Sequence, residues 1–455
     1  MISQKMIDWG SQGCGIREIA AYGEARAAVV GAENVFNFTI GNPSVKAPDC
    51  VARSIRHLLD TVPPEVLHGY TPAPGFYAVR QAMAEQLTKS FRTPYRAEDI
   101  FMTSGACAAL AIICAALIGP GEEAVTLTPY FSDYSVYVEA VGGRLVEAPS
   151  DPETFQIDLA AVEAALSPRT ALVLLNSPNN PSGVVLERSG LEALAALLRR
   201  KAAEYGHPIY IVADEPYRAL VYGGVEVPFI PDLYADTVYC TSFSKSLSLA
   251  GERVGYLAVA EQVAEHDRLL AAIAGACRVL GYINVSSMYQ LVAAECAGET
   301  ADLSIYEANR DYLYRSLTEL GYQCVRPDGT FYLFLKTPEG WHRRAMECDL
   351  LLVPGEEFSC PGYARLAYCV PLERLERAMP KFAALAEEFG LKKETTSEPP
   401  PHRGGGSLAH GESCDRIRRD GPMRASAPTW YGGESKDRPI RTWHGPDRCA
   451  GRRGC

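Results

Sequence analysis

The chain has 455 residues, 47% of them hydrophobic and 22% charged, with a formal net charge of −11 at pH 7. That length exceeds one ordinary core, so two packed domains are expected, and the globular composition excludes a wholly disordered chain. The acid excess argues against nucleic acid as the main partner, because a duplex binder needs a basic face.

In chain order, the N-terminus Met1-Ile2-Ser3-Gln4-Lys5 has no apolar signal core and no small-residue cleavage site. Residues 1–45 read as an arm, a helix followed by Asn37-Phe38-Thr39-Ile40, which packs with the smaller of two domains. Residues 46–281 read as the large domain. From about Asp99 to Val259 short apolar runs alternate with helical stretches such as Leu191 to Tyr205. The runs are Ile100 to Met102, Ala124 to Leu127, Ala171 to Leu175, Ile209 to Val212, Val238 to Cys240 and Val254 to Val259. Runs apolar on both faces, separated by helices, predict an α/β fold with a mostly parallel sheet covered by helices.

The richest apolar stretch, Ala106 to Ile118, is stopped by Gly119-Pro120-Gly121 and reads as a buried helix, too short to span a membrane. Residues 282–391 read as a smaller α+β domain, with helical Leu303 to Leu320, strand-like Thr330 to Lys336 and a closing helix from Pro371 to Phe389. Residues 392–455 hold 13 lysines and arginines against 8 acidic residues and almost no aliphatic side chains. Such a tail has too little apolar surface to offset ordering entropy and is expected to be disordered. The fourteen cysteines form no Cys-x-x-Cys pair. They read as free thiols of a cytoplasmic protein, with no metal site.

Four segments carry chemistry. Thr103-Ser104-Gly105-Ala106-Cys107-Ala108 joins a strand to the buried helix, leaving amide donors and a positive helix end for an anion. Asn176-Ser177-Pro178-Asn179-Asn180-Pro181-Ser182-Gly183 and Asp214-Glu215-Pro216-Tyr217 each follow a strand. Ser242-Phe243-Ser244-Lys245 follows a third strand, and Arg253, eight residues on, offers a permanent cation suited to phosphate. A lysine among hydroxyls in an apolar sequence loses its proton more easily and can attack a carbonyl. A carboxylate, an amide, a phenol, a lysine and an anion cradle therefore converge on the strand ends, where open α/β sheets bind ligands. Taken singly, each has a plainer reading: an N-cap aspartate, a turn asparagine, a surface loop.

Together these segments resemble the fold-type I pyridoxal-phosphate (PLP) dependent aminotransferases of class I and II, the aspartate-aminotransferase-like group. The resemblance runs from about Asn37 to Val370 and includes Tyr70-Thr71-Pro72-Ala73-Pro74-Gly75 and Pro354-Gly355 followed by Arg365. It implies that Lys245 holds pyridoxal 5'-phosphate as a Schiff base and moves the substrate proton. Asp214 would pair with the pyridine nitrogen, and Asn180 and Tyr217 would hydrogen-bond the phenolic oxygen. The amides of Ala106 and Cys107, the hydroxyls of Ser242 and Ser244, and Arg253 would hold the phosphate. Phe131 would stack on the ring; a core aromatic is its plainer reading. Arg365 would grip the substrate carboxylate, with Asn180 and the backbone of Gly41 lining the same pocket.

The resemblance further implies a homodimer in which Tyr70 reaches the phosphate of the other subunit. It makes the chain a transaminase exchanging amino groups between an amino acid and a 2-oxo acid. A C–S β-lyase uses the same fold and contacts and is the main alternative. A non-catalytic PLP-sensing regulator is a remote one, since only about forty residues precede the first motif. No arginine stands out as the selector of a dicarboxylic substrate, Arg278 being a candidate by region only.

Overall fold

The computed structural model describes residues 2–11 and 15–392. The expectation for the basic tail therefore lies outside the described residues, apart from Lys392. The first strand, Phe36–Asn37 (β1), has two residues and precedes the helix Asp49–Thr61. There follow Ile100–Thr103 (β2), Glu123–Thr128 (β3), Arg144–Pro149 (β4), Thr170–Asn176 (β5), Tyr210–Asp214 (β6), Thr237–Ser242 (β7) and Gly255–Val259 (β8). These seven make one sheet in the order β2-β8-β7-β6-β5-β3-β4. All neighbours pair in parallel except at β8, which runs antiparallel to both β2 and β7.

The fold is thus α/β with a mostly parallel sheet. Strands β2, β6, β7 and β8 are buried at every position, which is why their runs lack alternation. Strand β4, which the apolar-run reading omits, is one of the two edge strands. Its Arg-Leu-Val-Glu-Ala-Pro is largely exposed or half-buried, so a partly solvated edge left no continuous apolar run to read.

Helix Arg188–Tyr205 buries Leu191, Leu194 and Leu198 against Val125, Leu127, Val173, Leu175, Ile211 and Ala213. Those strand residues alternate along β3, β5 and β6 and so share one face. Each such leucine stabilises the layer by roughly 1.5–3 kcal/mol relative to exposure. Helix Ala106–Leu117 packs on β6, β7 and β8 and against helix His266–Leu280. Among the described residues no helix is long and apolar enough to cross a membrane.

Beyond the large sheet come Tyr332–Lys336 (β9), Leu350–Leu351 (β10), Val353–Pro354 (β11) and Tyr363–Ala367 (β12). An antiparallel sheet runs in the order β11-β12-β9, and β1 pairs in parallel with β10. A second core gathers Tyr306, Phe331, Trp341 and Phe382 with Phe36 and Phe38 from the N-terminal stretch. Strand β12 carries Arg365 in its middle, facing back toward the ends of the large sheet's strands.

Candidate active site

Parallel strands end together, and here three of them end on polar residues: β5 on Asn176, β6 on Asp214 and β7 on Ser242. The antiparallel β8 begins at the same edge, because Gly255 pairs with both Ser242 and Thr103. That reversal is what delivers Arg253 to the site. A Cβ at Gly255 would lie 2.4 Å from the Thr241 carbonyl oxygen, so glycine permits this close approach.

A cavity of about 280 Å3 opens over this edge. It is lined by Gly41, Ala106, Cys107, Phe131, Asn180, Asp214, Tyr217, Ser242, Ser244, Lys245, Arg253 and Arg365 among others. The structure therefore brings together every residue singled out by sequence for the site except Tyr70 and the regional candidate Arg278. Tyr70 is 94% exposed and lies outside this lining, although its segment is firmly held. Ser287 donates to the Leu67 carbonyl, Asn284 to the Thr71 carbonyl, and the Phe76 amide to Gln290. Arg278 is exposed on helix His266–Leu280 and does not line the cavity.

Asp214 is buried with its two oxygens in unlike states. Its Oδ2 accepts from the Tyr134 hydroxyl at 2.7 Å and more weakly from Asn176 Nδ2 at 3.4 Å. Its Oδ1 has no partner. Burial pushes this carboxyl up to about 7, against the Tyr134 hydrogen bond and with the help of the neighbouring Glu215 charge. Asn176 also donates to the Asp214 carbonyl and accepts from the Asn180 amide at 2.7 Å, tying two strand ends to the turn between them.

Lys245 Nζ donates to the Gly41 carbonyl at 2.8 Å. Burial lowers its ammonium to about 8, with the Arg365 and Arg253 charges acting in the same sense. Its neutral, nucleophilic form is therefore well populated just above neutral pH. Arg253 adopts a left-handed backbone conformation, φ 54°, which costs a non-glycine residue about 1–2 kcal/mol. Its guanidinium donates to the Ala250 carbonyl at 2.9 Å. A Cβ at Gly105, the φ 84° cap of the helix starting at Ala106, would stand 2.7 Å from Arg253 Nη2. Ala106 and Cys107 at the start of that helix, Ser242 and Ser244 line the same cavity as this cation, a donor set suited to an anion.

Opposite, Arg365 is buried. Its Nη1 donates to Asn180 Oδ1 at 2.9 Å and its Nη2 to the Thr39 carbonyl at 2.6 Å, while Nε has no partner. The guanidinium carbon lies 4.4 Å from the centre of the Tyr332 ring and 4.9 Å from that of Phe358. Sequence reasoning passed over Tyr134, Thr39 and Tyr332. Tyr134 stands one helical turn from Phe131, which was the available signal; Phe331-Tyr332 reads as ordinary core.

These residues fit pyridoxal phosphate in geometry and in charge. An unpartnered buried carboxylate oxygen suits a protonated ring nitrogen, the cradle at Gly105 suits a phosphate, and a depressed lysine suits an aldehyde.

Comparison with known proteins points the same way. A family model described as aminotransferase class I and II matches residues 33–382. An aspartate aminotransferase of Thermotoga maritima is 31% identical over 363 residues, which is 78% of this chain and 92% of that protein. An aspartate/prephenate aminotransferase of Thermus thermophilus is 31% identical over 76% of this chain and 89% of its own length. The crystal structure of an amino transferase from Eubacterium rectale is 44% identical, with a TM-score of 0.84 over 86% of this chain and 99% of that one.

Proposed function

This chain belongs to the class I and II aminotransferase family, and from that premise we propose that Lys245 anchors pyridoxal 5'-phosphate and carries the proton in amino-group transfer. When bound, the cofactor supplies an aldehyde for the amino group and a protonated ring that draws electrons from the substrate Cα. The observation that carries this reading is that Lys245, Asp214 and Arg365 line one cavity, while two buried polar atoms of that lining, Asp214 Oδ1 and Arg365 Nε, have no partner.

Each residue then has a defined task. Asp214, fixed through Oδ2, presents Oδ1 to the ring nitrogen and keeps it protonated. Asn180 and Tyr217 donate to the phenolic oxygen. Ala106 and Cys107 through their amides, Ser242 and Ser244 through their hydroxyls, and Arg253 through its guanidinium hold the phosphate. Phe131 covers the ring. Arg365, with its planar fork, takes the substrate carboxylate beside the Gly41 backbone, and Asn180 steadies the guanidinium. With its carboxylate end fixed, the substrate would present Cα to Lys245, whose amine, once displaced from the cofactor by the substrate amino group, would take the Cα proton.

We further propose a homodimer in a reducing, cytoplasmic setting. A tyrosine held in place yet 94% exposed supports a role across an interface, and the free thiols of the described residues suit a reducing compartment. Domain limits of 1–45, 46–281 and 282–391 suit the two cores, with the N-terminal arm contributing Phe36 and Phe38 to the smaller. The relatives' names, aspartate in one and aspartate/prephenate in another, make an acidic amino acid the first donor to try.

The test is a half-reaction. Cofactor-loaded protein, mixed with single amino acids and no oxo acid, is expected to yield the matching 2-oxo acid and pyridoxamine phosphate. Release of pyruvate, ammonia and a thiol from cysteine-type substrates, without pyridoxamine phosphate, would identify a β-lyase instead.

A further inference from the structure

Tyr332 has no part in the roles above, yet its hydroxyl sits where three parts of the cavity meet. It opens β9 and is 4% exposed. Its hydroxyl oxygen lies 3.3 Å from that of Tyr217. A Cβ added at Gly41 would stand 1.9 Å from the same oxygen, so residue 41 has room there for hydrogen alone. The Gly41 carbonyl in turn accepts from Lys245. The Tyr332 ring, a diagonal neighbour of Arg365 across the β9–β12 pair, lies under the guanidinium.

Two phenols in contact share one hydrogen bond, and its direction decides what the pair can do. Tyr217 has a single proton. Donated to Tyr332, that proton is lost to the cavity. Received from Tyr332, the bond leaves Tyr217 free to donate, and a hydroxyl that accepts one bond becomes a stronger donor through the other. The Arg365 cation favours the ionised form of both phenols, but it lies directly against the Tyr332 ring, 4.4 Å from its centre, while the nearest cation over the Tyr217 ring, Lys245, is 5.9 Å away; that asymmetry favours Tyr332 as donor.

We infer that Tyr332 is a positioning residue whose hydroxyl donates to Tyr217 and so aims the Tyr217 proton into the cavity, at the phenolic oxygen assigned to it. The inference rests on the cofactor reading given above. It also explains why a glycine stands at 41, since any side chain there would displace the Tyr332 oxygen.

The experiment is a pH titration of the absorbance of bound pyridoxal phosphate in wild type, Tyr332→Phe, Tyr217→Phe and the double variant. Weaker donation leaves the phenolic oxygen more basic, so the proton shared with it is held to higher pH. Tyr332→Phe is expected to raise the midpoint by about half to one pH unit, roughly threefold to tenfold in the equilibrium. Tyr217→Phe should raise it further, and the double variant should match Tyr217→Phe alone, because Tyr332 acts through Tyr217. A midpoint unchanged in Tyr332→Phe overturns the inference, as do additive shifts. A raised KM for the amino acid with an unmoved midpoint overturns it too, and would assign Tyr332 to Arg365. Should Tyr332→Phe not fold, Gly41→Ala displaces the hydroxyl instead, and an unchanged midpoint there is equally decisive against it. Failure of the wild type to bind the cofactor at all removes the underlying reading as well, a result distinct from a wild type that titrates normally beside an indifferent variant.

Discussion

The two walls of the cavity are built on opposite plans. The wall at the edge of the large sheet consists of strand ends: Asp214, Ser242, Lys245 just beyond Ser242, and the first amides of the helix at Ala106. Backbone pairing stops there, so polar groups are left with spare hydrogen-bonding capacity, as the unpartnered Asp214 Oδ1 demonstrates. The wall from the small sheet is Arg365 in mid-strand, already bonded to Asn180 and Thr39 and stacked on Tyr332 and Phe358. The first wall presents groups at the ends of their strands; the second fixes its cation through two hydrogen bonds and two rings, with Nε left unpartnered. On the proposed reading the two walls divide the work, the first gripping the cofactor and the second orienting the substrate.

The most damaging change to the first wall is Lys245→Ala. Turnover should fall by at least about a thousandfold, because anchor and proton carrier are lost together, while the circular dichroism spectrum stays as in wild type. Mixed with Tyr70→Phe subunits, the same variant should regain activity above either parent, since a mixed dimer leaves one site with neither defect. Dimers shown to mix without such recovery would confine Tyr70 to its own subunit.

Asp214→Asn comes next, at about a hundredfold or more in turnover, because a neutral amide cannot hold a charged ring nitrogen. The same variant separates folding from chemistry. A carboxyl raised in the folded state to about 7 from its usual 3.8 favours the fold fully below the lower value. That contribution is lost as pH rises through about 7. Cofactor-free wild type should thus lose melting temperature between about pH 4 and 7 relative to Asp214→Asn, which has no charge to bury. Parallel melting curves across that range would show Asp214 to be solvated.

The smallest effect is expected at the second wall. Arg365→Lys keeps the charge but loses the planar fork that matches a carboxylate and stacks between rings. The KM for amino acid and oxo acid should rise by about tenfold or more, with a smaller change in kcat and none in the cofactor spectrum. A kcat loss equal to that of Asp214→Asn would erase the distinction between the walls.

The chain's own order determined a good part of this. The doubly apolar runs gave the large sheet, and polar residues directly after β5, β6 and β7 gave the first wall, because a parallel sheet must end its strands together and the motifs are contiguous with them. The place of Arg365 at the cavity was legible only through family likeness, its strand offering no local sign of it.

What tertiary structure alone decided lies between residues far apart in sequence. Tyr134 caps Asp214 across 80 residues, and Tyr332 meets Tyr217 across 115. The antiparallel return of β8 sets Arg253 beside Gly105. The edge strand β4 went unread because solvent on part of its surface removed the apolar pattern. Periodicity records which side of an element is buried, not what it is buried against. A tyrosine that packs as core and a tyrosine that directs a proton look the same until the fold brings their partners to them.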